Sequence, residues 1–86
     1  MNNYALTFAR SARKELEGLD ASIVRRIFPA IEALASNPRP HGCRKLRGEE
    51  NLWRIRVGPY RVVFTVDDHQ RLVDIIAVRH RKEAYR

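Results

Sequence analysis

The segment Arg79-His80-Arg81-Lys82-Glu83-Ala84-Tyr85-Arg86 gathers the side chains best suited to chemistry on an anion. It follows directly on Leu72-Val73-Asp74-Ile75-Ile76-Ala77-Val78, an apolar run that reads as a buried β-strand. A guanidinium grips phosphate through paired N–H donors, and a rigid strand holds it in place. A tyrosine stacks on a base or handles a proton. Cations and a tyrosine at the end of a buried strand point to nucleic acid.

Two upstream strands carry the same signal. Leu52 to Val57 alternates, with Trp53, Ile55 and Val57 on one face and Arg54 and Arg56 on the other. Tyr60 to Val66 puts Tyr60, Val62, Phe64 and Val66 on one face and Arg61, Val63 and Thr65 on the other. In the last strand, Arg71 to Arg79, positions Arg71, Arg79 and Arg81 share a parity with Val73, Ile75 and Ala77. If Trp53, Val62 and Phe64 pack beneath helices, Arg54, Arg56 and Arg61 share the opposite face, and Arg79 and Arg81 can join them. Alternating arginines also make an ordinary solvated face. Convergence of three strands on Arg, with no Lys in any of them, favours a phosphate-binding one.

The remaining chain supplies the frame. Tyr4 to Phe8 reads as a short first strand. Ala9, Ala12, Leu16 and Leu19 recur at helical spacing, with Gly18 as a stop. Asp20 is a candidate N-cap, its carboxylate accepting from first-turn N–H groups. Ile23, Ile27, Ala30, Ile31 and Leu34 form one stripe of a second helix, with Pro29 expected to kink it or break one bond. Residues 36–42 form a loop. Gly58-Pro59 and Asp67-Asp68-His69-Gln70 are tight turns, so the strands they join are antiparallel neighbours. The order is β-α-α-β-β-β. The expected fold is α+β, a helical hairpin on one face of a mostly antiparallel four-stranded sheet.

Composition sets the outer limits. Eighty-six residues make one domain, 1–86. Seventeen Lys+Arg against ten Asp+Glu give a net charge of +7, which favours a polyanion or an acidic protein as partner. The lone Cys43 permits neither an internal disulfide nor a cysteine zinc site. With no signal-peptide pattern and no apolar run long enough for a bilayer, the expected compartment is the cytoplasm, with no membrane partner. Asp67, Asp68 and His69 sit in one tight turn and read as solvated rather than metal-binding. No metal or cofactor is expected. Trp53 reads as core, and Cys43 as non-catalytic.

Four stretches together resemble the RelE/ParE superfamily of bacterial toxins: Asn37-Pro38-Arg39-Pro40, Lys45-Leu46-Arg47-Gly48, Trp53 through Phe64, and Val78 through Arg86. The resemblance covers nearly the whole chain. It implies a toxin of a type II toxin–antitoxin module. RelE-type members cleave mRNA in the ribosomal A site; ParE-type members share the fold and inhibit DNA gyrase. The terminal Arg-Lys-Glu-Ala-Tyr tilts toward the RelE type, a metal-independent endoribonuclease. By resemblance the catalytic residues are Arg61, Arg81 and Tyr85. Arg54, Arg56, Lys45, Arg47 and Arg79 would bind phosphate. The RelE-type pair on the second strand is often lysine, whereas here it is Arg54 and Arg56, and arginine is a poor general base. Some relatives use a glutamate and a histidine, which makes Glu49, Glu50 and His80 second candidates. The implied partners are ribosome, mRNA and a cognate antitoxin, acidic and partly disordered. A gyrase-directed toxin, or an inactive binding protein of the same fold, is the alternative.

Overall fold

The computed structural model describes residues 3–46 and 51–80. Seven elements follow in the order β1 (Ala5–Phe8), α1 (Arg10–Glu17), α2 (Ala21–Ala33), β2 (Arg44–Lys45), β3 (Leu52–Val57), β4 (Tyr60–Asp67) and β5 (Leu72–His80). The sheet has the strand order β1-β5-β4-β3-β2. β1 runs parallel to β5, and every other pairing is antiparallel. The sheet therefore has five strands rather than four. The extra one, β2, is two residues long and pairs Arg44 with Arg54 and Lys45 with Trp53. It shows no alternation of its own, so only its pairing with β3 reveals it.

Each helix forms because its apolar residues repeat on one side. Ala12 of α1 is fully buried, and Gly18 closes that helix by donating its N–H to the Lys14 carbonyl. In α2, Ile27 and Ile31 lie one turn apart and are both buried, with Leu34 behind them. Asp20 occupies the N-cap position, but its carboxylate makes no capping bond. Its backbone carbonyl accepts from Ile23 and Val24 instead. Pro29 lies inside α2 and is exposed, so the carbonyl four residues back that loses its donor belongs to Arg25, itself exposed.

The hairpin between β3 and β4 is the shortest possible. Val57 pairs with Tyr60, leaving Gly58 and Pro59 to turn. Gly58 has φ +60° and the proline ring holds φ negative, the signs a type II′ turn requires. A Cβ at Gly58 would also stand 3.3 Å from Nη2 of Arg26. Between β4 and β5, Asp67 Oδ1 accepts the Gln70 N–H at 3.0 Å. Arg71 belongs to this turn, at φ 53°, and not to the strand.

β5 contains one irregularity that decides what faces where. Val63 pairs with Ala77, but its neighbour Phe64 pairs with Ile75, so Ile76 is an extra residue, a β-bulge. Before it, Val73 and Ile75 point to the helices; after it, Val78 does. The core thus combines Ala12, Ile27, Ile31 and Leu34 with Ile55, Val62, Phe64, Val66, Val73, Ile75 and Val78. The shared parity of Arg71, Val73, Ile75, Ala77 and Arg79 does not survive the bulge. Ala77 and Arg79 fall on the open face, away from Val73 and Ile75.

Phe64 is the largest fully buried side chain. Phe64→Ala should cost about 3–5 kcal/mol, a large part of what a small domain has. Urea unfolding followed by circular dichroism measures it. A loss under about 1 kcal/mol would mean that the two layers do not close on Phe64.

Candidate nucleic-acid interface

Among the described residues, the open face of the sheet carries five arginines from four strands. Register places Arg56 opposite Arg61, and Arg61 opposite Arg79, so these three form one row across β3, β4 and β5. The next row runs Arg44, Arg54, Val63, Ala77 across β2 to β5. Arg44, Arg54 and Arg56 line, with Gly42, a cleft of about 430 Å³. Arg44, Arg56 and Arg79 are exposed and Arg54 is half-buried. Arg61, at the centre of its row, is only 6 % exposed.

Like charges directly opposite one another on a sheet destabilise it. Adjacent strands stand only about 4.8 Å apart, so a lateral row of guanidinium groups sets like charges close together. A polyanion laid across the row reverses the sign of that interaction. The same geometry, with forked donors at fixed intervals, suits successive phosphates of a nucleic-acid strand. A carboxylate already touches the row: Glu15 Oε2 accepts from Nε of Arg79 at 3.0 Å.

The expected site residues separate into three groups. Arg54, Arg56, Arg61 and Arg79 share the open face, as expected from alternation on β3 and β4. Arg61, placed on that face by alternation, is nevertheless buried there. Lys45 pairs with Trp53 and so lies on the helix side, its Nζ 5.9 Å from the Trp53 ring centroid. Its neighbour Arg44 takes the place on the open face. Nothing in the sequence marked Arg44, because pairing with Arg54 assigns its face and β2 was not visible as a strand. His80 lies opposite Tyr60 on the helix side, their rings edge to face at 5.3 Å. It borders a cleft on the helix side with Lys14, Glu15 and Leu19. Arg47, Glu49, Glu50, Arg81 and Tyr85 lie outside the described residues.

A polar cluster fixes the loop that leads into β2. Asp68 accepts from the Tyr4 hydroxyl at 2.6 Å and from both Nη atoms of Arg39, at 3.2 and 2.9 Å. Arg39 also stands over the Trp53 ring, 5.1 Å from its centroid. Trp53 packs against the core with its Nε1 buried and without a hydrogen-bond partner among the described residues. The loop is thereby tied to the first strand, the β4–β5 turn and β3 at once. Arg39 and then Tyr4 hold the Asp68 carboxyl below the usual carboxylate range. The bond to Asp68 raises the Tyr4 phenol above its ordinary value and likewise raises Arg39.

The family model of the ParE toxin of type II toxin–antitoxin systems matches residues 6–85. The chain belongs to the RelE/ParE superfamily of type II toxins. The toxin is 36 % identical over 81 residues to the toxin RelE of Mycobacterium tuberculosis, covering 93 % of this chain and 79 % of that one. Among solved structures it resembles a RelBE2 toxin–antitoxin complex of M. tuberculosis, with a TM-score of 0.83, 28 % identity and 93 % of both chains covered. It is also similar to the intact RelBE complex of Escherichia coli, with a TM-score of 0.76, 30 % identity, and 87 % of this chain and 93 % of that one covered. No helix among the toxin's described residues is long and apolar enough to cross a membrane.

The polar cluster gives the toxin a pH signature. Asp68 is more acidic folded than unfolded, so its contribution is present above the usual carboxylate range and lost as pH falls through the depressed folded value. Tyr4 is less acidic folded, so its contribution holds below the ordinary phenol value and is lost as pH rises through the raised one. Thermal melts of the parent and Asp68→Asn should therefore differ most near neutrality, with the difference fading below about pH 4 and narrowing above about pH 10, where the Arg39–Asp68 pair remains. A constant difference across the range would show that the cluster's ionisation is irrelevant to the fold.

Proposed function

We propose that the toxin is a ribosome-dependent endoribonuclease that cleaves mRNA by attack of the substrate's own 2′-OH. The observation that carries this reading is the Arg56–Arg61–Arg79 row with Arg61 buried at its centre. The 2′ oxygen forms a bond to the adjacent phosphorus, and the bond from phosphorus to the 5′ oxygen breaks. The products are a 2′,3′-cyclic phosphate and a free 5′-OH. The 2′ proton leaves to a base, and an acid protonates the departing 5′ oxygen.

Charge grows on the phosphoryl oxygens as the fifth bond forms. A guanidinium withdrawn from water stabilises that charge more than a solvated one does, and it needs no reorganisation. Arg61 takes this role, with Arg81. Arg54, Arg56 and Arg79 hold flanking phosphates, and Tyr85 stacks on a base or orients the 2′-OH. A face built from arginines lacks a strong base. Orientation of mRNA by the ribosome would supply the missing part, since positioning alone is worth several kcal/mol. The partner that restrains the toxin is a cognate antitoxin. Support comes from the two solved relatives, both toxin–antitoxin complexes. A charge of +7 suits an acidic antitoxin that folds on binding.

A second reading has its own support: the matching family model describes a ParE toxin, and ParE-type members inhibit gyrase. One paired experiment separates the two. Primer extension on mRNA in a reconstituted translation system is run beside a gyrase supercoiling assay. Cleavage without gyrase inhibition is the expected result, and the reverse would replace the endonuclease with the gyrase-directed toxin. Arg61→Gln should lower single-turnover cleavage by about 10²-fold or more. Gln is the preferred replacement because Ala would leave a cavity at a buried position. Circular dichroism checks that the variant folds. Parent-like cleavage by folded Arg61→Gln would remove Arg61 from the chemistry.

A further inference from the structure

Where β1 ends, α1 takes over the free edge of β5. The last bond between the two strands' edges runs from the Ala9 N–H to the Ile75 carbonyl at 2.8 Å. Beyond it the edge of β5 faces a helix. The Ser11 hydroxyl donates to the Ile76 carbonyl at 2.8 Å, and Glu15 Oε1 accepts from the Val78 N–H at 2.9 Å. Ser11 and Glu15 are four residues apart on one side of α1 and stand in for a strand that is not there. The second oxygen of Glu15 does something else: Oε2 accepts from Nε of Arg79 at 3.0 Å.

We propose that Glu15 is a positioning residue for the cationic face, holding Arg79 in line with Arg61 so that the row meets phosphate already ordered. The proposal rests on the reading that this row binds RNA. An ionised carboxylate only accepts, so its two oxygens serve the Val78 N–H and Arg79 together. Arg79 is half exposed and rich in rotamers, and repulsion from Arg61 alone would drive it outward. Ordering it before RNA arrives removes that cost from binding.

Other roles for Glu15 predict different behaviour. A mere staple for the β5 edge would be served as well by glutamine, whose carbonyl can take the Val78 N–H. The amide nitrogen would then face Nε of Arg79, donor against donor, and release it. Simple electrostatics predicts the opposite sign. Removing a negative charge beside a polyanion site should tighten binding, whereas loss of positioning should weaken it.

Fluorescence anisotropy of a labelled single-stranded RNA, titrated across salt concentrations, reads that sign. Glu15→Gln should bind about two- to fivefold more weakly than the parent. Its salt slope should shrink toward that of Arg79→Ala, which itself loses roughly one released ion. The double variant Glu15→Gln/Arg79→Ala should bind no more weakly than Arg79→Ala alone. Parent-like or tighter binding by Glu15→Gln, or losses that add in the double variant, would overturn the proposal. If melting curves show Glu15→Gln unfolded, Arg79→Lys takes its place: it keeps the charge but lacks Nε, and parent-like affinity and slope would refute the positioning role. A parent with no RNA affinity overturns both this inference and the reading beneath it. A parent that binds RNA but cleaves no ribosome-bound mRNA removes the endonuclease and leaves the test of Glu15 intact.

Discussion

One extra residue, Ile76, decides which way half of β5 faces. In a regular strand Val73, Ile75, Ala77 and Arg79 would all point the same way, toward the helices. Arg79 would then stand opposite Tyr60, where His80 now stands, and be lost from the arginine row. The bulge moves the boundary between Ile75 and Ala77, so that Val73, Ile75 and Val78 fill the core while Ala77 and Arg79 turn to the open face. Both the core and the arginine row depend on it. A bulge leaves backbone groups outside the ladder, and α1 answers that need: Ser11 bonds the Ile76 carbonyl, and Glu15 bonds the next outward N–H, from Val78. The short first strand, the bulge and the first helix are one device.

The row it completes concentrates like charge on one face of the sheet. Three arginines stand opposite one another, one of them almost wholly out of water. Local rules of sheet stability are broken at this spot and kept on the other face of the same strands. Such breaks are expected where a surface is built to meet something absent from the free molecule. Arginine rather than lysine fits the burial, because a guanidinium is more weakly hydrated than an ammonium and its planar fork is fixed in advance.

Much of this was legible in the sequence, and the gaps have physical causes. The two helices follow from the spacing of Ala12 and Leu16, then of Ile23, Ile27 and Ile31. The meander follows from Gly58-Pro59 and the Asp67–Gln70 turn, whose lengths allow only antiparallel neighbours. Period-two alternation gave the faces of Arg54, Arg56 and Arg61. It failed on β5, because a bulge is a property of pairing between two strands and leaves no mark in either alone. β2 was missed for the same reason, and with it Arg44 and the helix-side place of Lys45. The burial of Arg61 was equally hidden: alternation gives a direction, whereas burial depends on what stands in that direction. The Asp67-Asp68-His69 turn was read as solvated. Asp68 is indeed exposed, yet it ties Tyr4 and Arg39, 64 and 29 residues distant, into one cluster.

The strands that carry the arginines are the strands that make the core, and this interleaving bears on how the site holds its shape. Ile55 lies between Arg54 and Arg56, and Val62 follows Arg61. Ile55 and Val62 are buried under the helices, while their neighbours face the other way. A guanidinium on such a strand inherits its position from the packing behind it, to within the small tolerance of a close-packed interior. A loop would place the same side chains with far more freedom, and ordering them would then be charged to binding. Arg79 follows buried Val78 and stands at the outer end of the row, near the end of β5 and beyond the reach of β1. Its guanidinium is joined to a carboxylate on a helix, that of Glu15. Packing orders the row from behind, and Glu15 adds a second hold on the side chain that stands at its edge.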